Sequence, residues 1–523
     1  METQLGIRFD RRGHLSDNRS RNAERPVFLP TSLRRVSAQL DLHMRPSAQI
    51  FASVLVLLVV PGIAFNPPRM DGAETARRPN IVLILADDLG YGDLGCYGQK
   101  RIATPHIDRL AAEGRRFTQF YAGSTVCAPS RCVLMTGLHT GHCYIRGNSD
   151  HSLRANDATV AELLKTAGYA TGLFGKWGLG QEGSAGVPTR KGFDRFFGYL
   201  DQAHAHNYFP AFLIADESRE PLQNVVPGRG PYGSGVATKK IQYSADLIRD
   251  RALQFIDEHK SGPFFLEFAS TLPHANNESR PNGMEIPDYG AYRDKSWPEP
   301  EKGHAAMISR LDSDVGRLLS RLREHGLENQ TIVLFTSDNG GHSEGGHNPR
   351  FFDDMGPLRG HKRDLYEGGI REPLIVRWPG RVPADTVSTH IGYFGDLFAT
   401  VGQLAGVTPP PGLDSISFLP SLEASAGPQL EHEFLYWEFH ERGSTQAVRL
   451  GTWKGVIRPM GSRHVELYDL ATDLGETRDV AAAHPEIVEK IVSIAKKAHT
   501  PSQLWPDVDP KAQPRRPART RSS

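Results

Sequence analysis

Cysteine is scarce in this chain: there are four in 523 residues, Cys96, Cys127, Cys132 and Cys143. That is too few for a disulfide scaffold. An excess of either charge is also missing. Lys and Arg number 61 against 60 Asp and Glu, so nothing in the balance calls for nucleic acid as a partner. No internal repeat is visible. The apolar run Ile50 to Val60, broken only by Ser53, is too short to span a bilayer comfortably. What is present is ordinary for a soluble globular protein: 39% hydrophobic and 23% charged residues, with 52 Gly and 37 Pro that point to many loops. The length allows two or three domains, or one large α/β domain with an appendage.

The N-terminal region has the layout of an export signal. Residues 1–43 are Arg-rich and polar, and read as a disordered tail or as an extension ahead of a true start at Met44. A basic start at Met44-Arg45, the apolar centre 50–60 and a small-residue exit at Pro61-Gly62-Ile63-Ala64 make residues 44–75 a secretory signal peptide and linker. The expected location is outside the cytosol, periplasmic or secreted. Membrane attachment follows only if the segment stays uncleaved.

Two apolar segments end in oxygen-bearing side chains. Residues 79–85 read as a buried strand that runs into Asp87-Asp88, and residues 331–336 as a second that runs into Asp338-Asn339-Gly340-Gly341. Adjacent carboxylates at a strand exit are costly without a cation, and open α/β sheets bind ligands at that end. A solvated turn is the other reading of each segment. Together, Asp87, Asp88, Asp338 and Asn339 form an oxygen-rich set suited to Ca²⁺ or Mg²⁺ rather than Zn²⁺.

Further candidates carry nucleophile or positive charge. Cys127-Ala128-Pro129-Ser130-Arg131 puts a reactive side chain at a loop-to-helix junction, where the helix field favours anions, with Arg131 one turn on. Taken alone, such a Cys is also read as a buried structural residue. Residues 157–167 read as an amphipathic helix closed by Gly168, and 169–174 as a strand entering Gly175-Lys176-Trp177-Gly178. Lys176 there is an anion-site candidate or a solvated loop lysine. His274 after Pro273, and Lys362 in a basic loop before the strand 374–377, have equally plain turn and loop readings.

These segments, in this order, closely resemble the type I, formylglycine-dependent sulfatases of the alkaline-phosphatase-like superfamily. The resemblance rests on Cys-x-Pro-Ser-Arg at 127–131, Asp87-Asp88, Asp338-Asn339, Gly175-Lys176-Trp177, Pro273-His274, and Lys362 four residues before Tyr366-Glu367-Gly368-Gly369. It implies that Cys127 is oxidised to formylglycine (3-oxoalanine) by a maturation enzyme, which leaves at least one cysteine unpaired. It further implies that Asp87, Asp88, Asp338, Asn339 and residue 127 hold Ca²⁺, or Mg²⁺, and that Arg131, Lys176, His274 and Lys362 serve binding and catalysis. The formylglycine hydrate attacks sulfur, His274 or Lys362 protonates the leaving oxygen, and the second hydroxyl expels sulfate from the covalent sulfo-enzyme. The family has His where this chain has Gly178. His204 or His206, nearby in sequence, is expected to take its hydrogen-bonding role, and His206 is counted with Lys176, His274 and Lys362 as substrate-binding.

The expected fold is α/β: a large, mixed, mostly parallel sheet flanked by helices over residues 76–430. A small antiparallel sheet with a helix follows over 431–500, then a basic tail over 501–523. The small subdomain is read from strands at 435–439, 446–450, 453–457 and 466–470 and a helix at 485–497. The expected activity is hydrolysis of sulfate monoesters, with a sulfated carbohydrate as natural substrate. The other readings are a phosphodiesterase or phosphonate monoester hydrolase on the same fold, and a non-catalytic binder of sulfated glycans.

Overall fold

The computed structural model describes residues 78–228, 230–423, 427–441 and 443–507, all within one compact unit. The signal-peptide segment, the N-terminal extension and the end of the basic tail lie outside the described residues. Among the described residues no helix is long and apolar enough to cross a membrane, and all four cysteines are free.

The large sheet has eleven strands: β1 (Asn80–Ala86), β2 (Arg115–Tyr121), β3 (Ala170–Lys176), β4 (Arg195–Tyr199), β5 (Phe212–Ala215), β6 (Ser218–Pro221), β7 (Phe264–Ala269), β8 (Thr331–Ser337), β9 (Arg371–Arg377), β10 (Thr386–Ser388) and β11 (Gly392–Tyr393). Their order is β10-β2-β9-β8-β1-β7-β3-β4-β5-β6, with β11 beside β2. The central run from β8 to β4 is parallel, while β9 is antiparallel to both of its neighbours. A strand buried on both faces needs apolar side chains in both directions, and β1 has them. Ile81, Leu83 and Leu85 enter one apolar layer, and Val82, Ile84 and Ala86 the other.

Among the described residues there are eight α-helices. They are α1 (Pro105–Ala112), α2 (Cys127–Thr136), α3 (Val160–Thr166), α4 (Ser244–His259), α5 (Glu299–Glu324), α6 (Glu367–Ile370), α7 (Asp396–Ala405) and α8 (Pro485–Ala498). Helices α2, α3 and α7 feed the first layer, and α1, α4 and α5 the second. Helix α3 starts later than the sequence pattern suggests. Asp157 is engaged by Arg154, while Thr159 and Glu162 form a reciprocal capping box, so Thr159 rather than Asp157 ends the loop. The strand expected over 169–174 continues to Lys176, which carries that ammonium to the strand exit.

The C-terminal sheet is antiparallel: β12 (Leu435–Phe439), β13 (Thr445–Leu450), β14 (Trp453–Ile457) and β15 (Val465–Asp469), in that order. One face meets α8 through Val448, Ile457 and Ile491. The other joins the first apolar layer of the large sheet through Leu435, Trp437, Ala447 and Val456.

A buried carboxylate pins this sheet in place. Glu438 accepts from Arg146 Nη1 at 2.8 Å, Tyr436 Oη at 2.7 Å, His440 Nε2 at 2.9 Å and His499 Nδ1 at 2.8 Å. Burial pushes the Glu438 carboxyl up, but the hydrogen bonds from His440 and His499 and the charge of Arg146 outweigh it and hold the group well below its usual range. The same bond to Glu438 raises His499. Glu438 therefore contributes stability above the ordinary carboxylate value of about 4.3, and loses it as pH falls. His499 contributes below the ordinary histidine value of about 6.5, and loses it as pH rises. This cluster should stabilise the fold most between those limits. Glu438→Gln is expected to lower stability by about 3 kcal/mol near pH 6 and to flatten the pH profile of thermal denaturation on both sides. An unchanged profile would place the pH dependence elsewhere.

Candidate active site

Four parallel strands end together, and their register decides which side chains meet. Ala86 lies opposite Ser337, so Asp87-Asp88 and Asp338-Asn339 leave the sheet side by side. On the other flank of β1, Leu85 lies opposite Ala269, and β7 runs on through Thr271 to His274. Beyond it, Gly175 lies opposite Ala269 and β3 ends in Lys176. Asp88 turns out of its strand at φ 64°, its N–H donating to Asp338 Oδ1 at 3.1 Å.

Helix α2 delivers the cysteine. Cys127 is its first residue, and the Ser130 hydroxyl accepts from Gly123 N at 3.1 Å, which fixes the entering loop. Cys127 Sγ donates to Asp87 Oδ1 at 3.5 Å. One turn on, Arg131 gives Nε and Nη2 to Asp338 Oδ2 at 3.0 and 2.8 Å and Nη1 to the Lys176 carbonyl at 2.7 Å. Lys176 Nζ donates to both Asp87 oxygens, at 3.0 and 2.7 Å. Lys362 Nζ donates to Asp88 Oδ2 at 2.7 Å, Glu344 Oε2 at 3.0 Å and His274 Nε2 at 3.1 Å. All of these side chains except that of Glu344, which is slightly exposed, are almost wholly buried.

The protonation states follow from these contacts. Burial pushes the Cys127 thiol up, with Asp87 and Asp338 adding to the shift against Lys176, so the sulfur stays protonated at neutral pH. Burial and the Lys362 charge hold His274 well below its usual value. Its Nδ1 bonds the Ala275 carbonyl at 2.7 Å, which assigns the ring proton to Nδ1 and leaves the Nε2 lone pair facing Lys362.

The donor set fits a hard divalent cation. Asn339 gives its Nδ2 to Asp88 Oδ1 at 2.7 Å and to the Gly340 carbonyl, while its buried Oδ1 has no hydrogen-bond partner. That orphaned oxygen sits with three fully buried carboxylates, an all-oxygen set of the kind Ca²⁺ and Mg²⁺ take. Ligand atoms of Asp87, Asp88, Cys127 and His274 also lie within 4.8 Å of one another.

The two histidines expected to take the Gly178 role differ in placement. His204 is buried against Tyr199 and Phe212, outside this group. His206 stacks on the His274 ring at 4.9 Å and bonds Glu278 at 3.2 Å, so it reaches the site as a neighbour of His274. The space beside Gly178 belongs to Gln202: a Cβ at 178 would come 1.9 Å from Gln202 Nε2. Two residues are new to the site. Glu344 receives Lys362, Arg363 and Asn277. The only signal for it in the sequence is a carboxylate soon after Asp338-Asn339 in the same Gly-rich loop. Gln202 carries no signal at all.

Known proteins share this fold. The family profile described as Sulfatase matches residues 79–407, and one described as N-sulphoglucosamine sulphohydrolase, C-terminal, matches residues 360–499. Human arylsulfatase A is 33% identical, covering 84% of this chain and 93% of that protein. N-acetylgalactosamine-6-O-sulfatase of Bacteroides thetaiotaomicron is 30% identical, covering 85% and 99%. The crystal structure of Ps i-CgsB superposes with a TM-score of 0.68 at 28% identity, covering 80% of this chain and 92% of that one. The same protein in complex with k-i-k-neocarrahexaose gives 0.67. Phosphonate monoester hydrolase of Agrobacterium radiobacter, at 20% identity, shares the alkaline-phosphatase-like fold with a TM-score of 0.55 over 80% of this chain and 96% of that one. With a profile matched across residues 79–407 and relatives aligned over 84% and 85% of its length, this chain belongs to the sulfatase family, enzymes that hydrolyse sulfate esters.

Proposed function

We propose that this sulfatase cleaves sulfate monoesters of carbohydrates, with residue 127 converted from cysteine to formylglycine by a maturation enzyme and Ca²⁺ as the metal. The observation that carries the reading is Cys127 itself. It opens helix α2 beside Asp87, inside a ring of three cations, with its thiol held protonated by burial. A thiol in that state is a poor nucleophile, and only a hydrated aldehyde has the second hydroxyl needed to expel sulfate. The carbohydrate reading is supported by relatives named for N-acetylgalactosamine-6-O-sulfate or bound to neocarrahexaose. Export through residues 44–75 belongs to the same proposal, and N-terminal sequencing of the mature protein tests it.

Formylglycine hydrate supplies one hydroxyl to take the sulfo group and a second whose deprotonation expels sulfate and restores the aldehyde. Asp87, Asp88, Asp338 and Asn339 would hold the cation, which supplies charge that favours the ionised hydroxyl. Arg131 fixes Asp338 and ties it to the end of β3 through the Lys176 carbonyl. With the carboxylates committed to the cation, Lys176 and Lys362 are the ammonium groups that meet sulfate oxygens. Lys362 Nζ is the proton donor to the leaving oxygen, because His274 Nε2 carries a lone pair and accepts from it. His274 orients that ammonium, and Glu344 holds it from the opposite side.

Peptide mass spectrometry across residue 127, paired with 4-nitrophenyl sulfate turnover in calcium, tests the nucleophile. Formylglycine is expected, with turnover falling more than about 1000-fold in Cys127→Ala. Full activity from an unmodified thiol would sink the reading. Sulfate release from N-acetylgalactosamine 6-sulfate should exceed that from the aryl ester in kcat/KM; the reverse order would argue for an aryl substrate. Glu344→Gln should lower kcat/KM about 10- to 100-fold. It should add little to the loss already caused by Lys362→Gln, since both act through one ammonium; additive losses would separate the two roles.

A further inference from the structure

A second buried cluster lies outside the catalytic group. Asp93 follows the β1 exit, His304 and Glu301 lie on α5, and His347 and Asp354 belong to the loop after β8. Asp93, His304 and Asp354 have no solvent exposure, and Glu301 and His347 very little. His304 Nε2 stands 3.7 Å from Asp93 Oδ1 and 3.8 Å from Asp354 Oδ2, and His347 Nε2 is 2.6 Å from Asp354 Oδ2. Ligand atoms of His304, His347 and Asp354 all fall within 4.8 Å of one another.

The polar groups here are incompletely satisfied. Both ring nitrogens of His304, Asp93 Oδ1 and Asp354 Oδ1 are buried without a hydrogen-bond partner. Such orphans are rare and mark a missing ligand, water or proton. Among the described residues, no lysine or arginine pairs with Asp93, Asp354 or Glu301, so three buried carboxylates face only two imidazoles. His347 is held from both sides: Glu301 Oε2 takes its Nδ1 and Asp354 Oδ2 its Nε2, each at 2.6 Å, so the carboxylate–histidine support that orients metal-bound imidazoles is in place and a metal would replace the proton at Nε2. Asp93 is fixed in the same way, its Oδ2 accepting from Gly90 N at 2.7 Å while Oδ1 stays free.

We propose that Asp93, His304, His347 and Asp354 form a structural site for a first-row divalent transition metal, Zn²⁺ foremost. Two imidazoles and two carboxylates match its tetrahedral preference. Bonds of about 2.0–2.1 Å separate tetrahedral ligands by about 3.4 Å; the 3.7 and 3.8 Å at His304 are close to that, and the His347 Nε2–Asp354 Oδ2 pair, hydrogen-bonded at 2.6 Å, would open as the metal replaces its proton. The metal ties together three segments, two of which also present catalytic residues. The Asp87-Asp88 exit is bound to the loop after β8 by Gly92 N donating to the Asp354 carbonyl at 2.6 Å, and α5 closes the third side. The inference does not depend on the chemistry at residue 127, and the site differs from the oxygen-only donor set there.

Untagged full-length protein, purified without chelator, provides the test. Elemental analysis is expected to find about one equivalent of zinc or another first-row metal in addition to calcium. Anomalous diffraction at that metal's absorption edge should place it between these four side chains. Cobalt reconstitution should give the visible absorption of a tetrahedral site, lost in His304→Gln and in Asp93→Asn, with a drop of several degrees in Tm. No transition metal and no cobalt spectrum in the wild type would overturn the proposal in favour of a water or a proton shared by Asp93 and Asp354. Full metal content in both variants would overturn it as well, by placing the metal elsewhere. If the variants fail to fold, the anomalous map of the wild type decides.

Discussion

The burial of Asp87, Asp88 and Asp338 at adjacent strand exits is the constraint on which the rest of the site depends. Each ionised carboxylate taken out of water costs several kcal/mol unless a partner offsets it. The chain supplies a partner for each one: Lys176 for Asp87, Lys362 for Asp88 and the Arg131 fork for Asp338. None of these cations is local in sequence to its partner. They arrive because β8, β1, β7 and β3 run parallel and end at one level, and because α2 and the basic loop before α6 close over that end. The sheet thus acts as an alignment device for charge, and its register fixes the chemistry before any side chain is chosen.

Arginine suits Asp338 for a reason that lysine could not meet. Two of its nitrogens reach one carboxylate oxygen and a third reaches the Lys176 carbonyl, so the planar fork joins the exits of β8 and β3. Two further carboxyls in the sheet have no such partner. Burial pushes Glu267 up to about 7 and Glu372 well above its usual range. Both therefore carry less negative charge at neutral pH than an exposed carboxylate would.

Much of this was legible in the chain because apolar runs mark the strands and the chemistry sits where those runs stop. Residues 79–85 and 331–336 are apolar enough to be core strands under any register, and the Asp and Asn residues just after them had nowhere else to go. The end of β3 was less visible, since Gly175 and Lys176 look like loop residues until pairing with β7 and β4 draws them into the sheet. Glu344, Gln202 and the His304–His347 contact were not legible. Each depends on two segments far apart in sequence meeting at one point, and no periodicity records such a meeting. His304 illustrates this: its place on the amphipathic α5 gives it a buried face, but the path of the loop after β8 is what sets His347 against it.

Gly178 shows how one departure from the family pattern is absorbed. Its φ of +76° is a conformation that side chains rarely adopt, and the space a Cβ would need is filled by the Gln202 amide at 1.9 Å. Gly178 and Gln202 therefore form a pair: the absence of a side chain at one position makes room for the other. The group that fills this space is an amide, which donates and accepts hydrogen bonds but does not titrate between pH 5 and 8. Gln202 Oε1 is buried without a partner, so the amide retains an acceptor free to take a hydrogen bond. Restoring the family histidine at 178 would demand that Gln202 leave and that the backbone relax, which makes it a change of two residues and a loop rather than of one side chain.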